Sequence, residues 1–166
     1  MITILLKDPC PEIKTNLAKF IQNLCKVLNK EIGVHSKGIL NSLCLNLKHQ
    51  HNKIRKITTC ALCDLLLCDN AGSLIDECFP SLLIISNDKN SDVRNNFYIN
   101  IANLLNKLNI IYLRKYESNL LRLLLNGLSD EKEEIKKKTE ELLEECGNNR
   151  KKLAIELKED VEKFLK

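Results

Sequence analysis

The sequence predicts an all-α superhelix, a solenoid of about four antiparallel helix pairs. Three observations carry that expectation. The branched residues Ile13, Ile54, Val93 and Ile135 recur 41, 39 and 42 residues apart, and each is followed at once by a cation, Lys14, Arg55, Arg94 or Lys136. Each anchor lies five residues after a polar turn that opens on Asp8, His49, Asp88 or Asp130. The segments between turns carry apolar residues three and four apart, and no stretch alternates as a strand would. A fixed period of roughly 40 residues flanked by helices is the mark of stacked helical repeats.

Taken in order, residues 1–7 are short and apolar, and by register match the end of a first helix, so the chain is expected to begin part-way through a repeat. Asp8-Pro9-Cys10-Pro11 reads as a turn and helix start, because proline is tolerated in a first helical turn. A helix is expected from Glu12 to about Lys30, with Gly33 as its stop. The second pair is Ser36–Lys48 and Lys53–Cys68, joined by His49-Gln50-His51-Asn52. The third is Leu74–Ser86 and Ser91–Leu108, with Pro80 marking a late start or a kink. The fourth is Ile111–Leu128 and Glu131–Cys146, with Asp130 and Glu133 at capping-box spacing and Gly147 as terminator. Lys151–Leu165 is amphipathic through Leu153, Ile155, Leu157, Val161 and Leu165. The whole, 1–166, reads as one segment with repeats at about 1–32, 33–72, 73–109 and 110–147, and 150–166 opening a further one.

Bulk properties narrow the function classes. Hydrophobic residues make up 44% and charged residues 29%, the balance of a folded soluble chain. Aromatic residues make up 4% and Trp is absent, which leaves little for base stacking or an aromatic cage. Residues 1–129 hold 16 Lys/Arg against 10 Asp/Glu, whereas residues 130–166 hold 10 against 12. That basic surplus suits weak steering of acidic partners and is too diffuse for a nucleic-acid face. The eight cysteines are expected to stay reduced in a cytoplasmic setting. No signal peptide is visible, and no apolar run approaches the roughly 20 residues of a membrane span.

Within each pair, the anchor is expected to pack back on the first helix while the following cation starts the solvent face. The turn Asp is expected to accept N–H groups at the helix start and to reach a cation of the adjacent repeat. His49 stands in place of Asp in the second turn, so the charge ladder is expected to be weaker there.

The period, the paired helices and the Asp…Val/Ile-Arg/Lys turns resemble HEAT repeats, which are close to armadillo-like solenoids. A narrower resemblance lies in the turns themselves: Asp8-Pro9-Cys10-Pro11-Glu12-Ile13, Lys48-His49-Gln50-His51-Asn52-Lys53-Ile54-Arg55, and Ser81 through Asp92-Val93-Arg94 to Leu113-Arg114-Lys115-Tyr116. Leu125–Asp130, Leu143-Glu144-Glu145-Cys146-Gly147 and Glu156-Leu157-Lys158-Glu159-Asp160 add to it. These are similar to the HEAT-repeat dynein axonemal assembly factor family, the fifth of the named factors, whose members are longer. The resemblance implies a cytoplasmic, non-enzymatic scaffold that helps preassemble dynein arms for cilia or flagella. Its implied partners are dynein chains, chaperones and other assembly factors. A generic HEAT adaptor in transport or translation control is the alternative.

Candidate chemistry is sparse. Cys60-Ala61-Leu62-Cys63 is a CxxC, with His49 and His51 upstream and Cys68 and Cys78 downstream, which raises zinc or a redox pair. It sits inside an apolar helix, without a second CxxC, so a packing role is the expected one. His49-Gln50-His51 could bind a metal or sense pH, against a solvated or capping role in a turn. No nucleophile triad, phosphate loop or HExxH is present, so no enzyme activity, cofactor or small-molecule substrate is expected. Lys53, Arg55, Lys56, Arg94 and Asn95 open second helices, and form a candidate docking rim for acidic protein segments on the concave face.

Overall fold

The computed structural model describes residues 2–6 and 8–164. Among them the chain forms nine α-helices and two 3-10 turns, with no strand. The helices are α1 (Ile2–Leu5), α2 (Pro11–Val27), α3 (Asn29–Val34), α4 (Ser36–Asn46), α5 (Asn52–Leu66), α6 (Ile75–Ser86), α7 (Ser91–Lys107), α8 (Ile110–Leu125) and α9 (Glu133–Phe164). The 3-10 turns, Ala71–Leu74 and Asn126–Ser129, precede α6 and follow α8.

Local chemistry sets the helix starts. Pro11 occupies the first turn of α2, where its missing N–H is no loss, and Glu12 follows it at the positive end of the helix dipole. Asn90 caps α7 by accepting the Val93 N–H at 3.2 Å, and Asn109 caps α8 by accepting the Ile111 N–H at 3.0 Å. The turn Asp88 therefore does not cap α7; the residue two further on does.

The second helices α2, α5, α7 and α9 stack side by side along most of their length. The first helices α1, α4, α6 and α8 touch one another over shorter stretches. Ile21, Leu43, Leu62, Leu82, Phe97, Ile101, Leu120 and Leu124 have no solvent exposure and make one core running through the stack. Full burial of each such side chain contributes roughly 1.5–3 kcal/mol, so neighbouring pairs stabilise one another.

Several element boundaries differ from expectation. The helix begun at Pro11 breaks at Leu28, and Gly33 lies inside α3 instead of stopping a helix. Gly33 is buried against the Asp69 carbonyl, and a Cβ there would sit 2.1 Å from that oxygen. Its small size, not its conformational freedom, is what the fold uses. Pro80 neither delays nor ends α6, which begins at Ile75 and continues through it. Asp130 and Glu133 form no capping box. Asp130 accepts the Lys132 N–H at 2.9 Å, while Glu133 pairs with Lys136 at 3.0 Å. Gly147 does not end α9, which runs unbroken to Phe164, so residues from 150 continue that helix and do not open another. Leu165 and the side chains of Leu157 and Val161 lie outside the described set.

Candidate functional site

The four turns share one hydrogen bond. Asp8 accepts the Cys10 N–H at 2.8 Å, Asp88 the Asn90 N–H at 2.9 Å and Asp130 the Lys132 N–H at 2.9 Å. In the second turn His49 Nδ1 does the same for the His51 N–H at 3.1 Å. An imidazole nitrogen thus replaces a carboxylate oxygen in closing an Asx-type turn, which requires Nδ1 to be unprotonated.

Buried arginines link successive turns. Arg55 donates from Nε and Nη2 to both Asp88 oxygens, at 2.5 and 2.7 Å, and from Nη1 to the carbonyls of His49 and Gln50 in its own turn. Arg94 repeats the pattern one pair on: Nε and Nη2 reach Asp130 at 2.7 and 2.9 Å, and Nη1 reaches the Asp88 carbonyl at 2.7 Å. Arg94 also holds Glu131 at 3.0 Å, a contact that sequence reasoning missed although Glu131 adjoins Asp130. Such forked pairs fix geometry as well as charge. Lys14 finds no carboxylate. Its ammonium donates to Asn46 Oδ1 at 2.7 Å and to the Leu6 carbonyl at 2.9 Å. Asn46 was not a candidate residue; its place three positions before His49, facing a lysine one repeat away, was the available signal.

The electrostatics follow. The Asp88 hydrogen bond raises the Arg55 guanidinium pKa, and the Asp130 hydrogen bond does the same for Arg94. Burial pushes the Asp88 carboxyl up, but bonds from Arg55 and Asn90 and the charges of Arg55 and Arg94 outweigh it and leave its pKa lowered. The Arg94 bond lowers Asp130 directly. Burial, then the charges of His51, Lys14 and Arg55, lowers His49.

Three of the four cations after the anchors do not start a solvent face: Arg55 and Arg94 are 6% and 7% exposed and Lys14 is buried too, whereas Lys136 is half-buried and pairs with the exposed Glu133. The donors of the two arginines go to turn carbonyls and to the next pair, so Arg55 and Arg94 cannot belong to an exposed docking rim. Lys53 and Lys56 are exposed on α5, and Asn95 is half-buried on α7 with its Oδ1 unpartnered. Ile54, Val93 and Ile135 are buried, whereas Ile13 is 39% exposed.

Comparison with known proteins places this geometry. A family model described as "Dynein axonemal assembly factor 5-like, TPR repeats" matches residues 1–160. The chain belongs to this dynein axonemal assembly factor 5-like family. No curated protein matches it. Among solved structures, an engineered protein superposes with TM-score 0.64 at 18% identity, over 87% of this chain and 62% of that one. Computationally designed armadillo repeat proteins for modular peptide recognition give 0.59 at 22% identity, over 86% and 62%. A designed armadillo repeat protein in complex with the peptide (KR)4 gives 0.60 at 19%, over 86% and 62%. The chain thus spans less than two thirds of these neighbours, and the likeness concerns the fold. The family description names TPR repeats, whose period is about 34 residues; spacings of 39–42 and armadillo neighbours mark this member as HEAT/armadillo-like.

In this assembly-factor family member the CxxC is part of the packing. Cys63 is fully buried, and burial raises its thiol pKa. Cys60 is half-buried and donates to Asn96 Oδ1 on α7 at 3.3 Å. The His49 and His51 rings lie 5.2 Å apart in their turn. Among the described residues no group of three or more His, Cys, Asp or Glu converges to hold a metal, and no helix is long and apolar enough to cross a membrane.

Proposed function

We propose that this chain is a non-enzymatic repeat scaffold in the cytoplasmic preassembly of axonemal dynein arms. The observation that carries the reading is the family match over residues 1–160. The buried Arg55–Asp88 and Arg94–Asp130 pairs support it, because they fix the relative orientation of successive helix pairs and so hold an extended surface in one shape. The solved neighbours include designed proteins made for peptide recognition, which supports protein segments as the ligand class. The exposed part of the rim, Lys53 and Lys56 with Asn95 beside them, is the surface assigned to acidic segments. Affinity capture from an extract of ciliated cells tests the reading. Recovery of dynein heavy or intermediate chains, or of chaperone co-factors, is expected. Repeated recovery of only transport or translation factors would replace it with the general HEAT adaptor.

A further inference from the structure

The first helices present an aliphatic residue to solvent at one register in every pair. Ile4, Leu45, Ile84 and Leu125 are spaced by 41, 39 and 41 residues and are 73%, 62%, 49% and 44% exposed. The first three lie four residues before Asp8, His49 and Asp88; Leu125 lies five before Asp130, the extra residue falling in the 3-10 turn. Single exposed aliphatics are ordinary on any surface. Four at one register make an apolar line along the edge where the turns lie.

Charge accompanies the line. Lys48, Lys89 and Lys132 are exposed in the second, third and fourth turns, and none forms an ion pair among the described residues. Asp88 is taken by Arg55, and Asp130 and Glu131 by Arg94, while Asp92 and Glu134 stay exposed in the first turns of α7 and α9. A groove of about 410 Å³ between the second and third turns is walled by Lys48, Ile84 and Lys89, with Arg55 and Asp88 at its base.

We propose that this turn edge docks an acidic amphipathic helix from a partner protein. Packed helices lie about 8–10 Å apart, and the first helices, which touch over shorter stretches, set their exposed aliphatics at that interval or slightly more. A partner helix returns to the same face every seven residues, about 10.5 Å along its axis, and so matches that interval. An extended strand does not, since its same-face side chains recur at about 6.6 Å or 13 Å. The unpaired lysines select acidic neighbours for the apolar positions. A second copy of this edge would set lysine against lysine. The proposal names a partner class for the scaffold and rests on that reading, though not on dynein being the cargo.

Fluorescence anisotropy of the whole chain tests it, with a labelled helical peptide of about 22 residues carrying Leu at heptad spacing and Glu beside each Leu. Binding is expected at least about tenfold tighter than for a shuffled peptide of the same composition, a difference of about 1.4 kcal/mol. Leu45→Glu with Ile84→Glu loses that tenfold, as does Lys48→Glu with Lys89→Glu; both pairs are solvent-exposed and leave the circular dichroism spectrum unchanged. Lys26→Glu with Lys30→Glu, exposed at the far end of α2 and the start of α3, leaves binding unchanged. Equal binding of the shuffled peptide, undiminished binding by the edge variants, or an equal loss in the Lys26/Lys30 variant overturns the proposal while the scaffold reading stands. Binding to anionic vesicles instead of peptide also overturns it. Failure of the wild-type chain to capture any protein from extract removes the scaffold reading itself.

Discussion

Arg55 and Arg94 are charges taken out of water, so their surroundings decide whether they help the stack. Replacing a buried pair by apolar groups is often neutral, whereas removing one partner is strongly destabilising. The pairs therefore act chiefly on register and orientation. Their acids give the protein a defined response to pH. Folding favours ionised Asp88 and Asp130, whose pKa values are lowered. That contribution is complete above the unfolded carboxylate value of about 3.9 and is lost as pH falls through the lower folded values. Folding also favours neutral His49. Its contribution is complete above about 6.5 and is lost as pH falls through its lower folded value. Thermal melts between about pH 8 and 3 should therefore show two acid-induced drops, one setting in below about 6.5 and one below about 3.9. His49→Asp should abolish the first and, by giving Lys14 a carboxylate, add about 1 kcal/mol at neutral pH. A wild-type melting temperature that stays flat from pH 7 to 5 would contradict this account of the second turn.

At the level of single elements, Gly147 separates two readings of the last helix. As a terminator it would need a left-handed backbone, where alanine is strained. Here no glycine among the described residues has positive φ, α9 continues through Gly147, and a Cβ there meets nothing within 4 Å. Gly147→Ala should then stabilise by about 1 kcal/mol, the usual difference within an exposed helix, and raise helicity by circular dichroism. A lower melting temperature would put the helix end back at residue 146. The same position shows where sequence was informative. Ile54, Val93 and Ile135 mark their joints by spacing alone, because the fold repeats and the anchor must return to the same place. Boundaries at Pro80 and Gly147 were not legible, because proline and glycine end a helix only where the backbone turns, and at both it stays helical. Gly33 reads as a helix stop until Asp69 is seen against it. The burial of Arg55 and Arg94 was hidden for a related reason: their carboxylates lie 33 and 36 residues away, on the next pair.

Across the whole molecule, stability should be graded, since each pair depends mainly on its neighbours. The joint between the first two pairs has a lysine bound to neutral acceptors, a histidine in the turn and a half-exposed Ile13. The later two have forked arginine–carboxylate pairs over fully buried Ile54 and Val93. Local opening should therefore begin at α1 and α2, and reach α7 last because it is packed on both sides by α5 and α9. Hydrogen exchange should show α2 amides exchanging faster than those of α7 at neutral pH, with His49→Asp narrowing the gap. Asp88→Ala leaves the Arg55 guanidinium buried without its acid and should cost about 3 kcal/mol. Because that pair joins the second and third repeats, the loss of protection should centre on α5 and the start of α7, and leave α9 slowest to respond. Uniform loss across all helices would mean that the chain unfolds as one cooperative block, and that the arginine rungs carry no separable share of the coupling between pairs.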